Sequence, residues 1–369
     1  MTLPREFRAA DSDGGASEIL NFRMPAEWEP HAATWLGWPH AEETWPGCLE
    51  RARAEFAALL RAVALNEPAD VLVQDAAAER RVRALAAELP AAAGPVRVHR
   101  LATDDVWLRD IGPTFVHAAG GERAAIDWTF NAWAGKYPPW ERDDAAAAEI
   151  ARRAGVPSIR PGLTLEGGAL EVDGAGTLLL AEPTALDPRR NPGVGRAQLE
   201  ARLDGLLGVS RVIWLGEGIA GDDTDGHVDD VARFVAPGRV VCARERRSGD
   251  PNFEPTREAW RRLSRARDAR GGRLELAELP LPEPQSAGPE RLPASYANFY
   301  FAGRALLVPV FGCPQDEAAL KVLEQLFPER EILPLVSRTL VRGLGGPHCL
   351  TQQEPRASVP GPGRGSGSD

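Results

Sequence analysis

Apolar positions recur along the chain at two alternating spacings. Apolar residues three and four apart predict helices at Leu49–Leu65, Ala76–Leu89, Asp143–Ala154, Arg196–Leu207, Thr256–Arg270 and Asp316–Phe327. Short apolar and β-branched runs predict strands at Val71–Val73, Val96–Val98, Ala124–Trp128, Thr177–Ala181, Arg211–Trp214, Val240–Ala243 and Ala305–Pro309. From Thr114 onward the order repeats as two strands, a helix, a third strand and a polar loop. This regularity predicts a radial or stacked α/β array.

The polar loops that end these units carry the residues with the most chemistry. They are Trp107–Asp110, Leu165–Gly168, Asp225–Asp230, Ser295–Asn298 and Gly346–Cys349. Their spacing matches the structural period, and equivalent loops of a radial fold converge on one axis. The pattern therefore predicts an Asp, a Glu, a His-x-Asp pair and a Cys around a shared centre.

Composition narrows the class of protein. The chain has 369 residues, of which 43% are hydrophobic and 26% charged, and its formal net charge is −10. This is the balance of a globular protein, and its negative field disfavours nucleic acid as a partner while tolerating a cationic small molecule. The chain shows no signal peptide and no apolar run of about 18 residues, so we expect a soluble, cytoplasmic protein without a membrane partner.

We expect one continuous domain. The polar segments 1–20 and 356–369 are expected to be disordered tails around a single domain at 21–355. The Pro-rich stretch Leu279–Pro293 is expected to be a long surface loop inside that domain, because strands and helices continue after it in the same order.

One of the four cysteines has the setting of a nucleophile. The cysteines form no close pair, which argues against a disulfide framework and a structural zinc site. Cys242 lies in an apolar strand and is expected to be structural, as buried free cysteines usually are. Cys349 instead follows a glycine-rich run and His348, where a substrate can approach closely.

Acidic residues accompany this cysteine in the other loops. His227 stands among five aspartates without a second His or Cys at ligand spacing, so a general acid/base is favoured over a metal ligand. Asp110 and Glu166, each weak evidence alone, add further carboxylates. Carboxylates bind planar guanidinium groups through paired hydrogen bonds. The set indicates a thiol enzyme that acts on a guanidine.

Several segments together resemble the agmatine deiminase family. They are MPAEWEPHAATWLGWP (Met24–Pro39), TDDVWLRDIGP (Thr103–Pro113), FNAW (Phe130–Trp133), LEGGALEVDGAGT (Leu165–Thr177), GDDTDGHVDD (Gly221–Asp230), ASYANFY (Ala294–Tyr300) and HCLTQQEP (His348–Pro355). This family is grouped with the bacterial peptidyl-arginine deiminases in the guanidine-modifying pentein superfamily. The resemblance implies a five-bladed α/β propeller of ββαβ units with pseudo-fivefold symmetry and an active site on its axis.

The resemblance also implies a role for each matching residue. Cys349 matches the nucleophile, His227 the acid/base, and Glu166 the acid that partners the histidine and the substrate. The pair that binds the guanidinium is matched by Asp110 and Asp229. Trp107 matches an aromatic that packs against the substrate, although a core tryptophan would also fit its sequence. For the distal amine of agmatine, Asp222, Asp223 or Asp225 are candidates, and Asp223 is the one we select.

Two departures from the family pattern concern the tail of the substrate. Gly346-Pro347 replaces Asn-Ile before His348-Cys349, and the stretch Thr184–Pro192 differs from the usual asparagine-rich sequence. Neither change touches the five catalytic candidates.

The predicted reaction converts agmatine to N-carbamoylputrescine and ammonia through a covalent amidino-cysteine intermediate, as a step of putrescine synthesis. It requires no metal or organic cofactor, and the resemblance implies a homodimer or a higher homo-oligomer. The nearest alternative is a deiminase of free or peptidyl arginine. Amidino transfer to an amine, a non-catalytic binding propeller and a cysteine protease are the others.

Overall fold

The computed structural model describes residues 22–357, whose strands form five sheets of one shared topology and one small hairpin. The tails predicted at 1–20 and 356–369 lie outside these residues, apart from Arg356 and Ala357. No helix among the described residues is long and apolar enough to cross a membrane.

The first half of the chain supplies strands to three sheets. The first sheet contains the strands β1 (His31–Gly37), β2 (Ala69–Val73) and β3 (Val96–Arg100). Helices at Leu49–Asn66 and Ala76–Ala87 connect these strands. The second contains β4 (Thr114–His117), β5 (Arg123–Ile126), helical segments at Ala132–Gly135, Glu141–Asp144 and Ala146–Ala154, and β6 (Ser158–Ile159). The third contains β7 (Leu170–Val172), β8 (Thr177–Ala181), a turn at Glu182–Ala185, a helix at Arg196–Leu207 and β9 (Arg211–Leu215).

The second half of the chain forms the fourth and fifth sheets and adds a strand to the first sheet. The fourth sheet contains β10 (Ala232–Ala236), β11 (Arg239–Arg244), a helix at Phe253–Arg265 and β12 (Glu275–Pro280). A hairpin of β13 (Ser286–Ala287) and β14 (Glu290–Arg291) follows. The fifth sheet contains β15 (Tyr300–Ala302), β16 (Ala305–Val310), a helix at Gln315–Leu326 and β17 (Glu331–Val336), and the chain then reaches β18 (Thr351–Pro355).

Each sheet repeats one pairing scheme. Its first two strands are antiparallel, and its third strand lies parallel to the second after a helical crossover. The first sheet follows the same scheme because β18 supplies its antiparallel strand, with Trp35 opposite Gln352. The two ends of the described chain therefore meet in one sheet.

Apolar helix faces pack against these sheets. In the helix Leu49–Asn66, the buried residues Phe56, Leu59, Leu60 and Val63 recur at three- and four-residue spacings, which places them on one face. This face contacts β2 and strands β15 to β17 of the fifth sheet. The helix thereby joins the first and fifth sheets through a shared core.

The predicted helices all exist, but three boundaries were wrong by three residues or more, including the start predicted at Thr256, which lies at Phe253. The helix predicted over Thr256–Arg270 ends at Arg265, because Asp268 caps a turn by accepting hydrogen bonds from the backbone N–H groups of Arg270 and Gly272. The helix predicted to begin at Asp143 begins at Ala146 instead. The stretch expected to be one long loop at Leu279–Pro293 contains the end of β12 and the hairpin β13–β14.

Candidate active site

All five chemistry-bearing loops lie immediately before the first strand of a sheet. Asp110 stands in the turn Leu108–Ile111 that precedes β4, and Glu166 precedes the 3₁₀ turn Gly167–Ala169 before β7. His227 precedes the 3₁₀ turn Val228–Asp230. This turn contains Asp229 and leads into β10. Cys349 lies two residues before β18. The shared topology therefore brings these loops to equivalent places.

Three of these loops, Trp107–Asp110, Asp225–Asp230 and Gly346–Cys349, line one cavity of about 790 Å³. Its wall includes five of the residues predicted from the sequence, Trp107, Asp110, Asp223, His227 and Cys349. The remaining two, Glu166 and Asp229, do not line it. They are buried directly behind His227 and Cys349, with side-chain exposures of 0% and 2%.

Asp110 is held in a fixed orientation. Its Oδ1 accepts a hydrogen bond of 3.0 Å from the Gly168 backbone N–H, and its Oδ2 accepts one of 3.0 Å from Nε1 of Trp133. A Cβ at Gly168 would collide with both Asp110 Oδ1 and His227 Nδ1, so this close approach requires glycine. Burial, opposed by His227, raises the pKa of Asp110 to about 6, which leaves the carboxylate ionised above neutrality.

The indole that orients Asp110 comes from a strained segment. Ala132, Trp133 and Ala134 have φ values of 52°, 52° and 70°, in the left-handed region that non-glycine residues rarely adopt. The Asn131 side chain stabilises the turn by accepting a hydrogen bond of 3.0 Å from the Ala134 N–H. Strain of this kind is concentrated at functional sites. The sequence marked FNAW as a matching motif but gave Trp133 no role.

His227 lies between two carboxylates. Its Nδ1 is 3.7 Å from Oδ2 of Asp110, and its Nε2 is 3.9 Å from Oε2 of Glu166. Both distances are too long for hydrogen bonds but short enough for strong electrostatic attraction. Burial lowers the pKa of His227, yet the two carboxylates outweigh burial and raise it to about 10. The imidazole is therefore protonated at neutral pH.

Glu166 is stabilised in its ionised form by the positive charge of Arg190. Nε of Arg190 donates a hydrogen bond of 2.7 Å to Oε1 of Glu166, and both side chains are completely buried. Burial works to raise the pKa of Glu166, but contacts with His227 and Arg190 hold it below its ordinary value. Sequence reasoning missed Arg190, since it lies in the stretch noted only as a departure from the family pattern.

The surroundings of Cys349 favour its thiol form. Its Sγ accepts a hydrogen bond of 3.1 Å from Nδ2 of Asn298 and lies 3.8 Å from Oδ2 of Asp229. Burial and the negative charges of Asp229, Asp230 and Asp110 raise the pKa of Cys349 well above its ordinary value. A cation must enter the cavity before the thiolate becomes favourable.

Asp229 is held in place by His348, the residue before the nucleophile Cys349. Its Oδ2 lies 2.6 Å from Nδ1 of His348, whose Nε2 lies 2.7 Å from Oε2 of Glu27. Burial works to raise the pKa of Asp229, but the contact with His348 outweighs it and lowers the pKa. The carboxylate therefore stays ionised while its Oδ1 remains without a partner.

Asp230 is a wall residue that sequence reasoning did not single out. Its Oδ1 accepts a hydrogen bond of 3.0 Å from Nδ2 of Asn298. Burial, and then the adjacent charge of Asp229, raise the pKa of Asp230 well above its ordinary value. The charge of Asp229 therefore disfavours a second negative charge at Asp230, as expected when like charges share a site.

The three candidates for the distal amine differ in their partners. Asp222 caps a turn through the backbone N–H groups of Thr224 and His227, and Asp225 pairs with Lys136 and Arg190. Neither carboxylate is free to bind a ligand. Asp223 lines the cavity and accepts a hydrogen bond from the hydroxyl group of Tyr137.

Trp107 combines the two interpretations left open by the sequence. Its ring is 5% exposed and packs against Trp45 with ring centroids 5.5 Å apart, as a core residue would. It also lines the cavity and lies against Gly345, where a Cβ would collide with the indole.

Three buried polar atoms without hydrogen-bond partners lie beside Cys349 and His227. They are Oε2 of Glu166, Nε2 of His227 and Oδ1 of Asp229. Buried polar atoms are normally paired, and these three can pair with a polar ligand or with water. The two carboxylate oxygens suit a guanidinium, which carries only donors. Within residues 22–357, no group of three His, Cys, Asp or Glu side chains is arranged to hold a metal ion.

Known proteins resemble this chain over most of its length. An agmatine deiminase from Ectopseudomonas mendocina is 39% identical over 357 residues, covering 90% of this chain and 95% of that protein. A solved agmatine deiminase from Enterococcus faecalis has a TM-score of 0.85 and 33% identity, covering 92% of this chain and 97% of the other. A C. jejuni agmatine deiminase with bound substrate has a TM-score of 0.83 and 26% identity, covering 91% and 97%.

A family model confirms the resemblance that the sequence motifs indicated. A sequence model of the Porphyromonas-type peptidyl-arginine deiminases matches residues 23–355, which include every candidate site residue. The mixed α/β fold agrees with that of the solved relatives. The chain belongs to the Porphyromonas-type peptidyl-arginine deiminase family.

Proposed function

We propose that this protein is a hydrolase of guanidine C–N bonds that converts agmatine to N-carbamoylputrescine and ammonia. The observation that carries the proposal is that the thiol of Cys349, the imidazole of His227 and the carboxyl group of Asp110 line one cavity, with the buried carboxylates of Glu166 and Asp229 directly behind them. The agmatine deiminases that resemble this chain over nearly its whole length support the same activity.

The first step joins Cys349 to the substrate. Asp110 and Asp229 bind the guanidinium, whose positive charge offsets the carboxylates that raise the pKa of Cys349. The thiol proton leaves, and the thiolate attacks the guanidinium carbon to give a tetrahedral adduct. His227, already protonated, donates its proton to the departing nitrogen. Ammonia leaves, and a covalent amidino-thioether remains.

The second step uses water. His227 is now neutral and accepts a proton from a water molecule that attacks the same carbon. Collapse of the second tetrahedral adduct breaks the carbon–sulfur bond and releases the ureido product, and the hydroxyl proton of the adduct returns to the sulfur, replacing the thiol proton that passed to water in the first step. Glu166 holds His227 in place and stabilises its positive charge, while the buried Arg190 keeps Glu166 ionised.

The charge of the outer cavity favours agmatine over arginine. Its wall carries the acidic side chains Glu43, Asp104, Asp105, Asp222, Asp223 and Glu290. The wall also carries two cations, Lys136, which is paired with Asp225, and Arg342, so the acidic side chains outnumber the basic ones. A second ammonium group near Asp223 would be attracted, whereas the carboxylate of arginine would meet like charge. The indole of Trp107 would pack against the alkyl chain between the two charges.

The shared topology supports a finer description of the architecture. We infer that the five sheets are the blades of an α/β propeller with pseudo-fivefold symmetry and that the cavity lies on its axis, because all five chemistry-bearing loops occupy the same place before a first strand. A single domain over 21–355, a cytoplasmic location and assembly into a homodimer or larger homo-oligomer remain predictions from the sequence.

Ammonia release from agmatine, arginine and an arginyl peptide tests this proposal, with Cys349→Ser beside the unaltered protein. We expect rapid turnover of agmatine alone and its loss in Cys349→Ser. The matched control is Cys313→Ser, since Cys313 lies outside the cavity against Tyr296 and should leave the rate unchanged. Turnover that survives Cys349→Ser would refute the covalent mechanism. Turnover of arginine but not agmatine would refute the assigned substrate.

A further inference from the structure

Asn298 is the side chain in direct contact with the sulfur to which neither the sequence nor the mechanism above gives a role. It belongs to the loop Ser295–Asn298 before β15 and is 2% exposed. Its carboxamide lies between the nucleophile Cys349 and the carboxyl groups of Asp229 and Asp230. A neutral amide is thereby buried at the most negative point of the site.

The backbone fixes which end of this amide faces the sulfur. The His348 N–H donates a hydrogen bond of 3.0 Å to Oδ1 of Asn298. The other end is therefore Nδ2, which donates to Sγ of Cys349 at 3.1 Å and to Oδ1 of Asp230 at 3.0 Å. Both amide hydrogens are directed at acceptors, and the group cannot flip without losing all three bonds.

Gly346 makes room for this arrangement. A Cβ at position 346 would collide with Oδ1 of Asn298. The carboxamide can lie against the loop of the nucleophile only because this residue has no side chain. Gly346, which stands where the family usually has asparagine, thus packs closely against Asn298 in this chain.

We propose that Asn298 is a catalytic residue whose amide stabilises the thiolate of Cys349 by donating a hydrogen bond to it. The inference rests on the proposed role of Cys349 as nucleophile. A donor to a charged sulfur gains strength when the sulfur ionises, so its effect is larger on the thiolate than on the thiol. Within the described chain, no other side chain donates a hydrogen bond to this atom.

Alkylation of Cys349 by iodoacetamide tests the proposal without any guanidine substrate. The rate is followed from pH 6 to pH 10, and the modified residue is identified by peptide mass. Asn298→Asp keeps the shape of the side chain and the acceptor for the His348 N–H but loses the donor. The titratable groups facing the sulfur, Asp110, Asp229 and Asp230, and the nearby His227 and His348 stay unchanged.

The relative alkylation rates of two Asn298 variants distinguish a hydrogen-bond donor from a side chain that only fills space. We expect Asn298→Ala to lower the alkylation rate at pH 8 about tenfold, and Asn298→Asp about a hundredfold, since it places an acceptor beside the sulfur. The rate should stay below that of the unaltered protein across the whole pH range in both variants. If Asn298→Asp reacts as fast as the unaltered protein while Asn298→Ala is slow, the side chain only fills space and the proposal is wrong.

Gly346→Ala provides a second test that leaves Asn298 in the chain. The added methyl group should displace the carboxamide and lower the alkylation rate. Gly249→Ala is the matched control, because a Cβ at Gly249 meets no atom within 4 Å. An unchanged rate in Gly346→Ala would overturn the proposal. Failure of the unaltered protein to hydrolyse any guanidine, with the alkylation pattern as expected, would instead refute the proposed function alone.

Discussion

Replacement of Arg190 by methionine should destabilise the fold and abolish activity together. The variant keeps an unbranched side chain but removes the cation that donates to Glu166 at 2.7 Å. Both side chains are completely buried, so water cannot replace the missing partner. Removing one member of a buried ion pair costs about 3–5 kcal/mol. Glu166 can avoid this cost only by taking up a proton, which removes the charge facing His227.

The neighbouring arginine is a matched control for this substitution. Arg189 pairs with Asp187 and Asp225, but its side chain is about half exposed. Exposed pairs of this kind contribute about 0–1 kcal/mol. Arg189→Met should therefore unfold in urea at nearly the same concentration as the unaltered protein. The two variants differ by one position and by the burial of the charge.

A double variant separates stability from activity. Arg190→Met combined with Glu166→Gln leaves no unpaired carboxylate at this position, so part of the lost free energy of unfolding should return, by about 1–3 kcal/mol. Agmatine turnover should stay lost, because the carboxylate that stabilises charged His227 is gone. The reasoning is refuted if Arg190→Met unfolds within about 1 kcal/mol of the unaltered protein, or if Arg189→Met is equally destabilised.

Two further predictions concern the charges of the cavity. Asp110→Asn should have opposite effects on two assays at pH 8: removing a negative neighbour lowers the pKa of Cys349 and speeds its alkylation by iodoacetamide about tenfold, whereas agmatine hydrolysis falls about a hundredfold. Equal losses in both assays would contradict the electrostatic argument. Asp223→Asn should raise the KM for agmatine about tenfold but leave that for butylguanidine, which lacks the amine, unchanged. Exposed Asp204→Asn is the control, and equal KM increases for both compounds would remove Asp223 from amine binding.

Local patterns predicted the units of the fold but not the way in which they join. Helix periodicity located the helix at Arg196–Leu207 to the residue, because its buried leucines stand on one face. The pairing of β1 with β18 could not be predicted from spacing, since its partners lie at opposite ends of the chain. The wrong boundary at Arg270 has a local cause, because the turn around Asp268 competes with residues that otherwise favour helix.

The same distinction holds for the site. His227 and Cys349 stand in loops with unusual local composition, and the structure brings them to one cavity. Arg190 has no comparable signal, and Asn298 stands in a marked loop but was given no role. Their roles arise from contacts with residues 24 and 51 positions away in the chain. Buried partners of a functional group are selected by three-dimensional proximity, and one sequence does not record it.

The arrangement of charge makes the substrate part of the catalytic apparatus. The carboxylates that would bind a cation also raise the pKa of Cys349 and favour its thiol form. The same carboxylates raise the pKa of His227 to about 10 and keep it protonated, ready to act first as an acid. A bound guanidinium offsets the negative charge near the sulfur, so ionisation of the nucleophile follows binding. A neutral molecule of the same shape would leave the thiol protonated, so it should react much more slowly than a cation.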